Sequence, residues 1–150
     1  MKPWRLLLAL VWVVAASATG QAKQLAIVAD AANSTTNLTS AELVKIFNAH
    51  TRSWPDGKPI TIVLRDPSSA DMQLILKRVF NMTADEARTF IHTHAATMVV
   101  ADSDDAVQRF VANTRGAMGV VDLYSLTKDV RVVKIDGKLP VEQGYLLRGN

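Results

Sequence analysis

Apolar and polar positions along this chain repeat with two periods, and the switches between them mark the elements. An unbroken apolar run of eleven residues, Leu6 to Ala16, follows Lys2 and Arg5. It is too short to span a bilayer as a stable anchor. Small residues come next, Ala16-Ser17-Ala18 and Gly20-Gln21-Ala22, each a candidate cleavage site, so residues 1–22 read as an export signal. Residues 23–150 then form one domain.

Within that domain, residues 24–29, apolar from Leu25 onward, predict a short buried strand. A polar loop, Asp30 to Asn37, separates it from a capping box of Thr39 and Glu42, flanked by Leu38 and Leu43 as a hydrophobic staple. These predict a helix over 40–48 with Leu43, Ile46 and Phe47 inward. Pro55-Asp56-Gly57 reads as a turn, and Ile60 to Leu64 as a second strand ending at Arg65. Pro67-Ser68-Ser69 opens a helix whose residues Met72, Ile75, Leu76, Val79 and Phe80 make one helical stripe. A second capping box, Thr83 with Glu86, predicts a helix over 84–95 that buries Ala87, Phe90 and Ile91. Thr97 to Val100 reads as a strand. Asp102 is placed to cap a helix over 103–114 with Ala106, Val107, Phe110 and Val111 inside, stopped by Gly116. Met118 to Val121 and Val130 to Ile135 are strands, the latter closed by Asp136-Gly137. The segment 140–150 shows no pattern. Strands alternating with helices predict a single layered α/β domain with a mostly parallel or mixed sheet.

Composition narrows the chemistry. The 150 residues are 49% apolar and 21% charged, which excludes disorder as a description of the whole. Cysteine is absent, which removes disulfides, thiolate metal sites and a cysteine nucleophile. Removing 22 of 150 residues leaves 128. Lys2 and Arg5 leave with them, so 15 of the 17 basic residues face 14 acidic ones. That near-balance, with basic residues scattered singly, gives no nucleic-acid stripe. The triplets at Asn33, Asn37 and Asn81 are glycosylation acceptors only in a eukaryotic secretory route, and Thr39 and Thr83 already serve as caps.

The sharpest constellation is Arg65-Asp66-Pro67-Ser68-Ser69. An arginine at the carboxyl end of a strand, directly before a helix start with two hydroxyls, suits an anion. The alternative is that Ser68 or Ser69 caps the helix and Arg65 pairs with Asp66 or Asp71. His92, His94 and His50 are the only metal candidates; i and i+2 on a helix do not share a face, so they predict no metal site. Asp102, Ser103, Asp104 and Asp105 lack the glycine and glutamate of a calcium loop and suit a helix first turn. No serine sits in a nucleophile elbow, so no catalytic residue is assigned and no cofactor is expected. Trp54, beside a turn, needs no functional role.

In order along the chain stand Leu38-Thr39-Ser40-Ala41-Glu42-Leu43 to Phe47, Trp54-Pro55-Asp56-Gly57, Ile62 to Arg65 with Ser68-Ser69, Asp102-Ser103 with Val107, and Gly116-Ala117-Met118-Gly119-Val120. Over residues 24–135 this order resembles the phosphate-binding periplasmic proteins of ABC importers, and more closely their short single-lobe members. The resemblance implies a fold like one lobe of a type II periplasmic binding protein. It implies a bacterial periplasmic or secreted location, and phosphate or a similar oxyanion bound at Arg65, Ser68 and Ser69. It also implies partners such as an ABC permease, another envelope protein or a second copy of the chain. Where the family has Arg-x-Asp-Gly-Ser-Gly-Thr, this chain places Pro67, Ser68, Ala70 and Asp71 at the aspartate, the two glycines and the threonine, and Asp71 puts a carboxylate beside the anion. Val120 replaces the usual tyrosine.

A helix N-terminus contributes about 0.3–1 kcal/mol toward an anion. Hydrogen bonds to a charged group add roughly 1.5–3 kcal/mol each. An open half-site therefore reaches ~4 kcal/mol, a millimolar constant. Two functions compete: an exported solute-binding module, and a non-transport interaction or sensing domain on the same lobe.

Overall fold

The computed structural model describes residues 23–149, so the expected export signal lies outside the described residues. Six strands form one sheet: β1 (Leu25–Asp30), β2 (Asn37–Leu38), β3 (Thr61–Leu64), β4 (Met98–Val100), β5 (Ala117–Asp122) and β6 (Val130–Ile135), in the spatial order β2-β6-β1-β5-β3-β4. The sheet is mixed. β1 runs antiparallel to both its neighbours, whereas β2 with β6, β3 with β5 and β3 with β4 are parallel pairs.

All six residues of β1 are buried, as its apolar run requires for a strand covered on both faces. Its alternate side chains serve two cores. Leu25, Ile27 and Ala29 join Leu43, Phe47, Met72, Ile75 and Phe80 on one face. Ala26 and Val28 join Val107 and Val111 on the other. The first face is covered by α1 (Ser40–Phe47), α2 (Ala70–Ile75) with its π-helical continuation Leu76–Phe80, and α3 (Ala84–Thr93). The second is covered by α4 (Asp104–Asn113), seated on β5 where Gly119 leaves room. A Cβ there would meet Val107 Cγ1 at 2.6 Å.

The Thr39 capping box is complete: Glu42 N–H donates to Thr39 Oγ1 at 3.1 Å and Thr39 N–H to Glu42 Oε2 at 3.0 Å. The Thr83 box is half made. Glu86 N–H reaches Thr83 Oγ1 at 3.2 Å, but the Glu86 carboxylate accepts from the Thr83 hydroxyl rather than from its N–H. Thr39→Ala and Thr83→Ala are each expected to cost about 1 kcal/mol in denaturant melts.

The structure corrects the sequence expectations or adds to them at five points. The expected loop contains β2, which pairs with the far end of β6. The cap of α4 is Ser103, whose hydroxyl accepts from Ala106 N–H at 3.0 Å, not Asp102. Phe90, Phe110 and Ala106 are half-buried, while Gln108 is buried: its amide donates to Ser125 O and accepts from Thr127 N–H, both at 2.7 Å, and pins the turn after β5. Trp54 is a buried core residue whose Nε1 donates to Gly116 O at 2.9 Å. The tail folds back, with Tyr145 and Leu147 buried and the Tyr145 hydroxyl donating to Leu25 O at 2.8 Å.

Candidate functional site

β3, β4 and β5 are parallel and end at one edge of the sheet, where the antiparallel β1 begins. The helices that follow β3 and β4 therefore start at that edge. Chain direction alone brings Lys23, Arg65, Asp71, Asp104 and Asp122 together there.

Arg65 directly follows β3. Its guanidinium donates to Asp104 Oδ1 at 2.9 Å and lies 3.9 Å from Asp71 Oδ2. The second oxygen of Asp104 accepts from Asp122 N–H at 3.2 Å, tying the start of α4 to the end of β5. Lys23 pairs with Asp71 at 2.5 Å and with Asp122 at 3.3 Å. The Asp71 hydrogen bond is the main reason that the Lys23 ammonium is held above its ordinary pKa of 10.5, against the opposing effect of burial. A raised folded-state pKa stabilises the fold below the unfolded value, and the gain is lost as pH rises through the folded value. The stability difference between the wild type and Lys23→Gln is thus expected to be constant at neutral pH and to narrow above roughly pH 10.5, as checked by denaturant midpoints.

The two serines are arranged differently from the arginine. Ser68 N–H donates to Asp66 Oδ1 at 2.8 Å, and its hydroxyl donates to the same oxygen at 2.5 Å. These bonds, the hydroxyl's first, hold the Asp66 carboxyl below its ordinary value. Ser69 is the N-cap residue of α2 by backbone, yet its buried hydroxyl makes no hydrogen bond among the described residues. Of the four residues singled out in the sequence, Arg65 and Asp71 therefore meet, Ser68 is turned onto Asp66, and Ser69 offers an unused hydroxyl.

The sequence reading missed Lys23, Asp104 and Asp122. Local pattern places Asp104 only in a helix first turn, and its Arg65 contact spans 39 positions. A usable signal existed for Asp122, a carboxylate ending an apolar run as Arg65 does. The five side chains carry two positive and three negative charges, one net negative charge at an edge where an anion was expected. Elsewhere, His94 ends α3, its Nδ1 2.8 Å from Phe90 O and its ring against Phe90. Among the described residues no three His, Asp or Glu side chains converge as a metal site.

Residues 21–145 match the family model described as a PBP superfamily domain. No curated protein sequence matches. Among solved structures, an ABC-type phosphate transport receptor from Vibrio cholerae is similar at 21% identity and TM-score 0.72, covering 86% of this chain and 55% of that one. PstS from Borrelia burgdorferi matches at 21% identity and TM-score 0.72, covering 87% and 56%. A phosphate-binding protein from Stenotrophomonas maltophilia matches at 18% identity and TM-score 0.66, covering 80% and 41%. The chain spans about half the length of these relatives. With its mixed six-stranded α/β sheet and a family match over most of its length, this chain belongs to the PBP superfamily and has the fold of a single lobe of the phosphate receptors.

Proposed function

We propose that this chain is an exported solute-binding module that takes phosphate or a similar oxyanion weakly at the Arg65 edge. The observation that carries the reading is the position of Arg65, whose half-buried guanidinium stands at the carboxyl edge of the sheet between the starts of α2 and α4. The likeness to phosphate receptors supports it. The Lys23 pairing of Asp71 reduces the repulsion that this carboxylate would exert on an anion.

The same geometry limits the affinity. Asp104 competes with an oxyanion for Arg65, so binding is expected at millimolar strength or weaker and falls with added salt, because an open edge is screened. Tight retention then needs a partner that closes the edge, such as an ABC permease, another envelope protein or a second copy. Calorimetry against phosphate, sulfate and molybdate tests this. Asp104→Asn, which removes the carboxylate competing for Arg65, is expected to strengthen phosphate binding, as is Asp71→Thr. Tight, salt-resistant binding by the isolated monomer contradicts the half-site.

One observation favours a second reading, a periplasmic interaction or sensing domain that reuses the lobe. Arg65 and the Ser68 hydroxyl already have carboxylate partners, and the edge carries net negative charge. Absence of phosphate binding in both Asp104→Asn and Asp71→Thr selects this reading over the first.

A further inference from the structure

The folded-back tail and the π-helical end of α2 enclose an open groove of about 860 Å³, bordered at Gly149 by Lys23, whose carbonyl accepts from Gly149 N–H at 2.6 Å. Its lining includes Arg78, Val141, Gln143, Gly144, Leu146 and Arg148. Arg78 stands seven residues beyond Asp71, in the π-helical segment Leu76–Phe80, and donates to Leu146 O rather than to a member of the Arg65 network. This groove therefore draws on a different set of charges from the network at Arg65.

Its electrostatics are the reverse of that network's. Arg78 Nη1 donates to the backbone Leu146 O at 2.7 Å, which holds the guanidinium in place without neutralising it. Arg148 is exposed, and its side chain has no hydrogen-bond or acidic partner among the described residues. Lys138 lies against Gly144, so close that a Cβ there would meet Nζ at 2.5 Å. The acidic groups nearest along the chain are Glu142, which accepts from Leu139 N–H, and Asp136, which accepts from Ser40 and feels the Lys138 charge; neither is an ion-pair partner of Arg78 or Arg148. Arg78 and Arg148 both line the groove with no ion-pair partner among the described residues, so an anion placed between them is attracted by both. Glycine at 144, with φ +83, keeps the backbone open beside Lys138.

Size and lining narrow the anion. A single tetrahedral oxyanion fills a small part of a groove within the range of about 300–1,000 Å³ typical of small organic ligands. Val141, 64% exposed, and the half-buried Leu146 supply apolar surface beside the charges. Three basic groups match a dianion better than a carboxylate, and two guanidinium forks suit phosphate oxygens.

We propose that this groove is a second anion site, separate from Arg65, that takes an organic phosphomonoester, with the phosphate between Arg78 and Arg148 and the organic body against Val141 and Leu146. A phosphomonoester reaches it either as a free small molecule or as a lipid headgroup. Two probes separate these sources: phenyl phosphate in solution, followed by calorimetry, and phosphatidylcholine vesicles containing phosphatidic acid, followed by co-sedimentation. Binding of either probe, weakened roughly tenfold in Arg148→Glu by loss of a charge-assisted bond and unchanged in Arg65→Ala, supports the site and identifies the source. Arg148 bridges to Gln24 through its backbone, so the substitution leaves the fold's pairing intact. Lys138→Glu gives a second variant with the same expected direction. Failure of both probes to bind, equal binding by the two charge reversals and the wild type, or loss of binding only in Arg65→Ala overturns it. Because Arg65→Ala and Arg148→Glu are each titrated with both inorganic phosphate and phenyl phosphate, either site can fail without the other.

Discussion

Gly116→Ala is expected to abolish cooperative folding or to cost at least about 3 kcal/mol, the largest effect of any conservative change in this chain. Gly116 has φ +83, a conformation that L side chains rarely adopt. An added Cβ would sit 2.3 Å from Pro59 O, a backbone atom that cannot swing aside. Both polar groups of the glycine are also committed: its N–H donates to the buried Asp30 carboxylate at 3.1 Å, and its carbonyl accepts from Trp54 Nε1 at 2.9 Å. Moving the loop to relieve the clash thus breaks two buried bonds at once. Gly137→Ala is the control. Its φ is +74 but nothing lies within 4 Å of the new Cβ, so only the backbone cost of roughly 1 kcal/mol applies. Urea unfolding followed by tryptophan fluorescence and circular dichroism compares the two, and equal midpoints would show that the Pro59 contact yields.

Arg65→Ala is expected to lower stability by about 2 kcal/mol and to abolish oxyanion binding at the edge. Breaking one partner of a fully buried ion pair costs about 3–5 kcal/mol, and Arg65 and Asp104 retain side-chain exposures of 23% and 12%, so the solvent recovers part of that. What remains is Asp71 paired with Lys23, and Asp104 without an ion-pair partner among the described residues. Asp104→Asn is milder, because the amide still accepts from Asp122 N–H. The double variant should be less destabilised than the sum of the singles, since the two side chains share one interaction. Additive losses in a double-mutant cycle would show that the 2.9 Å contact contributes little in solution.

Much of the fold was legible because its signals are local. The Thr39-Glu42 box lies within four residues, and the stripe from Met72 to Phe80 repeats every turn, so each declares its element without help from the rest of the chain. The fully apolar Leu25 to Ala29 announces a strand covered on both faces, and it became the centre of the sheet. Arg65 stood out because a cation closing an apolar strand is a local event. What was not legible depended on partners far away in sequence. Gln108 is buried because Ser125 and Thr127 satisfy its amide, and glutamine alone reads as surface. The two-residue β2 is too short to show a period and exists only because β6 offers an edge.

From local periodicity and turn chemistry, the amino-acid sequence determined the four α-helices, the threonine caps of two of them, the α/β class and Arg65 as a residue of interest. Strand direction, and with it the company Arg65 keeps, was decided only in three dimensions. No pattern within β1 reveals that it runs antiparallel to β5 and β6, yet that choice brings Lys23 to the edge where β3 and β5 end. Gly119 lets α4 settle close to the sheet and carries Asp104 onto Arg65. Pairings across 39 and 48 positions, such as Arg65 with Asp104 and Lys23 with Asp71, leave no trace in spacing, because the energy that selects them is Coulombic and acts only once packing has set the distance.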